Sequence, residues 1–243
     1  MYNQPMNKFV ILADARSGST SLAKLLNESS DVNLSVEPFH PNYSQWNPEE
    51  PNYSELIKDE KTMNQALDEI FGKYNAMKVL AYQLDQDIYK VMLSRKDIKI
   101  VLLQRKNLAQ AALSSRIGEQ TGIWHQSDMK ESAYKDLKPV EISEIKKIVD
   151  YVGEINETYS TYLAKNRQDD YLHLFYEELF SEDMDTNVKK ITDICQFLDF
   201  SLPPNSMIEK YMRPSKSKQN KDNLYRQIPN YKEIEKEFPG IFE

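Results

Sequence analysis

Continuous apolar runs alternate with amphipathic segments along the first half of the chain. The run Phe9–Ala13 is rich in β-formers, and small polar residues and then apolar positions at helical spacing follow it up to residue 26. A short continuous apolar run predicts a strand buried on both faces, and the spacing after it predicts a helix. A second run, from about Ile98 to Leu103, precedes a predicted helix from about Leu108 to Ile117.

Further segments extend this alternation. The shorter strand candidates are 32–36, 77–81 and 171–175, and the further predicted helices are 60–74, 85–94, 141–165 and 184–198. Strands that alternate with helices favour a parallel sheet with helices on its faces. Because no long linker rich in Pro, Gly or Ser divides the chain, we predict a single α/β domain over residues 1–243 with a central parallel sheet flanked by helices.

Two stretches lack such a pattern. The segment His40–Leu56 is rich in proline and predicts a long surface loop or a substrate lid. The tail from Pro203 mixes Pro, Asn and charged residues, and it is expected to be irregular. Within this tail, residues 210–221 hold five cations and no acid.

Composition and charge narrow the classes of function. The 243 residues are 40% hydrophobic and 11% aromatic, enough for a substantial core. A formal net charge of −7 argues against a general nucleic-acid binder, although it leaves room for one local anion site. The single cysteine, Cys195, cannot form an intramolecular disulfide, and the apolar run near the amino terminus is too short for a signal peptide or membrane span. We expect a cytoplasmic protein with no transmembrane segment.

The first motif is ADARSGSTS, residues 13–21, where a strand ends in small residues directly before a helix. Backbone N–H groups and the positive helix end then converge on one point, which suits a phosphate or sulfate. Gly18 would let the backbone approach the anion closely. The hydroxyls that would add donors are those of Ser17, Ser19, Thr20 and Ser21. An ordinary N-capped helix is the alternative interpretation.

This motif is not a Walker A loop. Ser19 occupies the position where that pattern has lysine, and the nearest cation, Arg16, precedes the glycine. The pattern therefore disfavours a nucleotide triphosphatase. It favours an anion held by Arg16, backbone amides and hydroxyls, for which no metal is required.

The second motif, VLLQRKNLAQAALSSRIG, places Arg105 just past a predicted strand and Ser114 nine residues later on the following helix. A guanidinium binds phosphate in a planar, bidentate manner, and a helical serine can add one hydrogen bond. Since arginine is common after a strand, and Ser114 could face solvent, this motif alone is weak.

Together the two motifs carry a family resemblance. ARSGSTSL resembles the 5′-phosphosulfate loop of sulfotransferases that use 3′-phosphoadenosine 5′-phosphosulfate (PAPS), and the Arg105–Ser114 unit resembles their 3′-phosphate site. The likeness is closest to the bacterial group typified by trehalose 2-sulfotransferase. That group has a similar RSGST loop, an AQA-type helix, a QTG…W segment matched by Gln120–Trp124, and a late aromatic-acidic segment like Tyr176–Leu179.

The resemblance implies a P-loop-like sulfotransferase architecture and transfer of a sulfuryl group from PAPS to a hydroxyl. The acceptor would be a carbohydrate, a glycolipid or another small molecule, and adenosine 3′,5′-bisphosphate (PAP) would be released, with no metal. Glu37 is the implied catalytic base and Arg16 the implied stabiliser of charge. His40 is the alternative base, because its ordinary pKa suits neutral pH. Lys78 would orient substrate or cofactor, unless it is simply a solvated lysine.

The chain departs from the family pattern at two positions. Many sulfotransferases have the 3′-phosphate serine eight residues after the arginine, where this chain has Leu113, so Ser114 or Ser115 would take that role. Many cytosolic members have lysine where Arg16 stands. Arginine keeps its proton at neutral pH, so its role would be charge stabilisation rather than proton donation.

The late cations match a loop that closes over the nucleotide in sulfotransferases. These cations are Arg213, Lys216, Lys218 and Lys221, and Lys218 is the preferred contact to the 3′-phosphate. A solvated tail is the alternative. Two other functions stay open at this point: a P-loop-like small-molecule kinase, and a catalytically inactive nucleotide-binding interaction protein.

Overall fold

Five parallel strands form one sheet in the order β2-β3-β1-β4-β5. The structure is a computed structural model that describes residues 7–124, 134–214 and 222–242. The strands are β1 Lys8–Ala13, β2 Leu34–Val36, β3 Ala76–Leu80, β4 Ile98–Gln104 and β5 Tyr171–Phe175. The prediction of a central parallel sheet flanked by helices is confirmed.

The strand order places β1 at the centre, between β3 and β4. Phe9 lies opposite Ala76 of β3, and Lys8 lies opposite Ile98 of β4. The chain leaves β1 towards β2 and leaves β4 towards β5, so the two connections diverge at the carboxyl ends of neighbouring strands. In open α/β sheets such a divergence opens the crevice in which ligands bind.

Helices cover both faces of the sheet and connect its strands. The longer ones are α1 Ser19–Leu26, α4 Glu60–Lys73, α5 Gln86–Ser94, α6 Leu108–Thr121, α7 Ile142–Asn166, α9 Met184–Leu198 and α10 Asn205–Met212. The shorter ones are α2 Tyr43–Trp46, α3 Tyr53–Leu56, α8 Tyr176–Leu179, α11 Asp222–Tyr225 and α12 Tyr231–Glu237. Among the described residues, no helix is both long and apolar enough to cross a membrane.

Alternation along β1 divides the core between the two faces. Val10 and Leu12 pack with residues of α4, α5 and α7, whereas Phe9 and Ile11 pack with residues of α1, α9 and α10. Because β1 is buried on both sides, its sequence is apolar throughout, as a central parallel strand requires.

Two expectations about irregular stretches need correction. The tail after Pro203 was expected to be irregular, but it forms α10, whose Ile208 and Met212 are buried against the α1 side of the core. Apolar residues four positions apart place one helical face in the core, and this outweighs the polar composition. The 40–56 stretch contains the short helices α2 and α3, which are anchored by buried Tyr43 and Tyr53.

Candidate active site

Residues 15–18 form the loop between Asp14 and α1, and this segment, the anion loop, has the backbone form of an anion-binding loop. Gly18 is the N-cap residue of α1 and is left-handed, with φ of 76° and no side-chain cap. The first backbone N–H groups of a helix have no partner within the helix. In α1 these are the N–H groups of Ser19, Thr20 and Ser21, and no capping side chain accepts a hydrogen bond from them. This arrangement can accept a phosphate or sulfate group.

Packing, as well as backbone conformation, requires glycine at position 18. A Cβ there would lie 2.5 Å from two ring carbons of Phe180 and 3.2 Å from a ring carbon of Tyr176. These two rings pack on each other with centroids 4.8 Å apart. Thus α8 and the residue after it press against the loop and hold its shape.

The predicted hydroxyl donors of the loop differ in their surroundings. Ser17 is fully buried, and its hydroxyl donates to the carbonyl oxygen of Asp14 at 2.7 Å. That bond closes the loop on itself. Ser19 is buried, whereas Thr20 and Ser21 are half-buried in the first turn of α1.

Arg105 follows β4 and is 6% exposed. Its Nη1 donates to the carbonyl oxygen of Arg16 at 2.8 Å, and its Nη2 donates to the side-chain oxygen of Gln110. The guanidinium lies over the ring of Tyr176, 4.5 Å from the centroid. Among the described residues its buried Nε has no hydrogen-bond partner, although a carboxylate oxygen of Glu177 is 3.8 Å away.

Arg16 brings the two predicted motifs together. Its Nε donates to the hydroxyl of Ser114 at 3.1 Å, and its Nη1 donates to the carbonyl oxygen of Trp124 at 3.0 Å. Burial lowers the pKa of Arg16. Ser114 therefore lies beside the loop arginine, while Ser115 lines a neighbouring apolar pocket.

Glu37 comes directly after β2 and is held from two sides. Its Oε1 pairs with the ammonium of Lys78, and its Oε2 accepts a hydrogen bond from the Gln83 amide at 2.8 Å. Lys78 lies within β3 and is 1% exposed, so it is not a solvated lysine. Burial lowers the pKa of Lys78, and the charge of Arg16 adds to this effect, whereas Glu37 opposes it.

His40, the alternative base, lies in the turn that follows Glu37. Its backbone N–H donates to the carbonyl oxygen of Glu37 at 2.9 Å. Its Nδ1 accepts the backbone N–H of Asn42 at 3.0 Å, and its ring stacks on Trp46 with centroids 4.4 Å apart. Local contacts therefore occupy one nitrogen and one face of this imidazole.

The two candidate catalytic residues share an uncommon backbone conformation. In the described part of the chain, positive φ angles outside glycine occur at Arg16, Glu37 and Asp199, with values of 63°, 55° and 62°. Asp199 is the C-cap of α9, where a left-handed residue is ordinary. Arg16 and Glu37 are not helix caps. Residues that the surrounding structure holds in a left-handed conformation occur most often at functional sites, so these two angles are consistent with a functional role.

Two carboxylates of the site had no predicted role. Asp14, 4% exposed, accepts two hydrogen bonds at Oδ2, from the backbone N–H of Arg105 at 3.1 Å and from the Asn156 amide at 2.9 Å. Glu177 accepts the backbone N–H groups of Lys106 and Asn107, each at 2.9 Å. A charged residue between an apolar strand and the anion loop was the sequence signal that could have identified Asp14.

An apolar pocket opens beside these residues at the carboxyl edge of the sheet. Its lining includes Asp14, Tyr82 after β3, Ser115 on α6 and Tyr151 on α7. The two tyrosine side chains remain about half exposed. Beside the anion loop, this edge of the sheet therefore presents apolar and aromatic surface.

The predicted late cations fall only partly within the described residues. Arg213 ends α10 and pairs with Glu209 at 2.9 Å. Lys218, the preferred contact, lies outside the described residues, as do Lys216 and Lys221.

No protein-family model matches the chain, and no curated protein matches it either. Solved structures are similar. The crystal structure of mouse sulfotransferase SULT7A1 complexed with PAP has a TM-score of 0.51 and 15% sequence identity, over 90% of this chain and 68% of that chain. A sulfotransferase from Alicyclobacillus acidocaldarius has a TM-score of 0.48 and 17% identity, over 95% of each chain. At these identities the SULT7A1 likeness concerns the fold alone, and it shows that this chain has the α/β fold of sulfotransferases.

Proposed function

We propose that the chain is a PAPS-dependent sulfotransferase formed by one domain over residues 1–243, related to the bacterial group typified by trehalose 2-sulfotransferase. The observation that carries the proposal is the meeting of Arg16 and Arg105 at the uncapped start of α1. The buried guanidinium of Arg105 and the half-buried guanidinium of Arg16, beside uncapped helix amides, form a site for a ligand with more than one anionic group. PAPS has such groups at both ends of its ribose.

The chain's residues fit this cofactor at two points. The loop amides from Gly18 to Ser21 would bind the 5′-phosphosulfate, and Arg105 with Ser114 would bind the 3′-phosphate. Two observations support this assignment: the Nε of Arg105 has no hydrogen-bond partner among the described residues, and the hydroxyl of Ser114 accepts from Arg16 beside the loop. Lys218 is proposed as a further contact to the 3′-phosphate.

PAPS, when bound, supplies a sulfuryl group whose bond to the 5′-phosphate oxygen breaks as a bond to the acceptor oxygen forms, so that PAP leaves. Glu37 takes the proton that the acceptor hydroxyl loses. Lys78 and Gln83 hold its carboxylate in one orientation, which favours proton transfer at a fixed position. Arg16 offsets the negative charge that develops beside the loop. No metal is assigned a role.

The acceptor is proposed to be a small molecule with a hydroxyl, such as a carbohydrate or a glycolipid. The apolar pocket beside the anion loop supports this, because its half-exposed rings, Tyr82 and Tyr151, offer faces on which a sugar or an acyl chain can pack. Glu37 reaches this region from the β2 side, since its charge raises the pKa of Tyr82 in addition to the larger effect of burial.

Calorimetry with PAP tests the cofactor assignment. We expect PAP to bind in the presence of a chelator as tightly as in the presence of Mg²⁺, whereas a kinase would bind ATP with Mg²⁺ in preference. A mass-spectrometric screen of hydroxylated acceptors with PAPS then tests turnover. The absence of any PAP binding would reject the proposal, and binding without turnover of any acceptor would favour a nucleotide-binding interaction protein.

A further inference from the structure

Asp14 joins the elements that would hold the nucleotide. It is the first residue after β1, and its carbonyl oxygen accepts the Ser17 hydroxyl of the anion loop. Its Oδ2 accepts the backbone N–H of Arg105 and the side-chain amide of Asn156 on α7. Asp14 thus joins the anion loop through its backbone carbonyl, and it joins the start of the Arg105 loop and the helix α7 through its side chain.

The charge of Asp14 is unfavourable for the proposed ligand. A carboxylate that is 4% exposed would lie close to a polyanion, and like charges in a buried site disfavour each other. The two donors to Asp14 both bond Oδ2, and no described residue donates a hydrogen bond to Oδ1. A proton on Oδ1 would therefore remove the charge without displacing either hydrogen bond.

We propose that Asp14 takes up a proton when the nucleotide binds, so that affinity for PAP is coupled to pH through this residue. This inference rests on the proposed function, because it requires an anionic ligand between the two loops. Asp14 is a positioning residue in this proposal, since it acts through the backbone of Arg105 and through the anion loop.

The charged groups around Asp14 determine whether a bound anion raises or lowers the pKa of its carboxyl group. Arg16 and Arg105 are the cations of the adjoining loops, and Glu177 on α8 is the carboxylate whose charge raises the pKa of Asp14. The pocket also places the side chains of Tyr82 and Tyr151 beside it. A bound polyanion would add negative charge on the side of the anion loop, in the same direction as Glu177, so its presence favours protonated Asp14.

Burial already raises the pKa of Asp14 to about 6, against the smaller opposing effects of its two hydrogen bonds. If the ligand raises this pKa by one further unit, Asp14 gains about 0.4 of a proton at pH 7. By the same arithmetic, affinity falls about fivefold between about pH 6 and pH 8, because deprotonated Asp14 binds the anion less well.

Calorimetry in buffers of different ionisation enthalpy measures the number of protons exchanged on PAP binding. The test compares the wild type with Asp14→Asn, which keeps an oxygen acceptor, and with the matched surface control Asp87→Asn. We expect Asp14→Asn to take up about 0.4 of a proton less than the wild type when PAP binds at pH 7, and Asp87→Asn to match the wild type. The proton balance of the PAP phosphates is common to all three proteins and cancels in the comparison.

Equal proton numbers in the wild type and Asp14→Asn, with PAP bound by both, would overturn the inference and leave the cofactor assignment intact. No PAP binding by the wild type would reject both. If Asp14→Asn does not fold, infrared difference spectroscopy of the wild type with isotope-labelled aspartate replaces it. There, a new protonated-carboxyl band on adding PAP is expected, and its absence would count against proton uptake by Asp14.

Discussion

Lys78 and Glu37 form an ion pair in which the lysine side chain is 2% exposed and the glutamate side chain 17% exposed. The lysine comes from the middle of β3, and the glutamate from the turn after the neighbouring strand β2. The backbone N–H of Glu37 also donates to the carbonyl oxygen of Lys78 at 2.7 Å. The pair therefore fixes both the position of the candidate base and its orientation towards the carboxyl edge of the sheet.

Glu37→Gln should keep PAP affinity and lose sulfuryl transfer. The amide can still accept a hydrogen bond from Lys78, but it cannot take the acceptor's proton, and loss of a general base costs about 100-fold to 10,000-fold in rate. PAPS turnover with an acceptor found by screening measures this, with the surface variant Glu55→Gln on α3 as control. Turnover at the wild-type rate in Glu37→Gln would remove this residue from the role of base.

Glu37→Ala should lower the free energy of unfolding, because Lys78 would then be a buried cation without its carboxylate. Breaking a buried pair by removing one partner costs about 3–5 kcal/mol. Because the pKa of Lys78 is lowered, this lysine can lose its proton more easily, and the loss of stability should lie at or below the lower end of that range. The double variant Glu37→Ala with Lys78→Met should recover most of the lost free energy of unfolding, because it removes the buried cation as well. Urea unfolding checks both, and a double variant no more stable than the single one would contradict the explanation.

Arg105→Ala should weaken PAP binding by about 10-fold to 100-fold, since a hydrogen bond to a charged group contributes about 1.5–3 kcal/mol. Arg105→Lys should restore only part of the affinity, because an ammonium cannot make the planar bidentate contact. The control is Arg95→Ala, which removes an arginine paired with Asp97 and Asp68 on the opposite, amino-terminal side of the sheet. Calorimetric affinities that are equal for Arg105→Ala and the wild type would refute the assignment of this residue.

Gly18→Ala should abolish PAP binding and destabilise the protein, because alanine at φ of 76° is strained and its Cβ would collide with Phe180. Gly72→Ala is a matched control on α4, where nothing lies within 4 Å of the added Cβ. It should raise the free energy of unfolding by about 0.5–1 kcal/mol and leave PAP affinity unchanged. Thermal unfolding and calorimetry distinguish the two. Tight PAP binding by Gly18→Ala would show that the loop does not need its left-handed glycine.

The stability of the wild type should fall relative to Asp14→Asn as pH rises from about 4 to above 6. The folded-state pKa of Asp14 is raised from 3.8 to about 6, so the folded protein favours the protonated form. The stabilisation by protonated Asp14 is complete below the pKa of the unfolded state. It is lost as pH rises through the pKa of the folded state, and the total loss is about 3 kcal/mol. Urea unfolding across this range measures the difference, and a constant difference would show that Asp14 titrates normally.

The strands and the anion loop could be predicted because their signals are local. Apolar runs such as Phe9–Ala13 are continuous in sequence, and the small residues after them are adjacent to Gly18. The same is true of α6, which was predicted to end at Ile117 and continues to Thr121, where Gly122 ends it with φ of 68°. Local chemistry therefore predicted the element types well and their ends less well.

The rest of the site depends on contacts between distant residues. Glu177 accepts backbone N–H groups some 70 residues earlier in the chain, and Asp14 bonds Asn156 across 142 residues. The same holds outside the site: at the amino-terminal side of the sheet, buried Arg167 donates to the carbonyl oxygens of Leu93, Arg95 and Ile98. Spacing in the sequence cannot reveal such partners, because tertiary packing creates them.

The all-parallel sheet also has a consequence for the order of events during synthesis. The bond from Arg105 to the carbonyl oxygen of Arg16 spans 89 residues, and β1 pairs only with strands that emerge later from the ribosome. Contacts of such long range form slowly, because the intervening chain must be closed first. The anion loop is therefore translated early, but Arg105 reaches it only once β4 has joined the sheet. A nascent chain that stops before β4 would hold only one of the two arginines of the proposed nucleotide site.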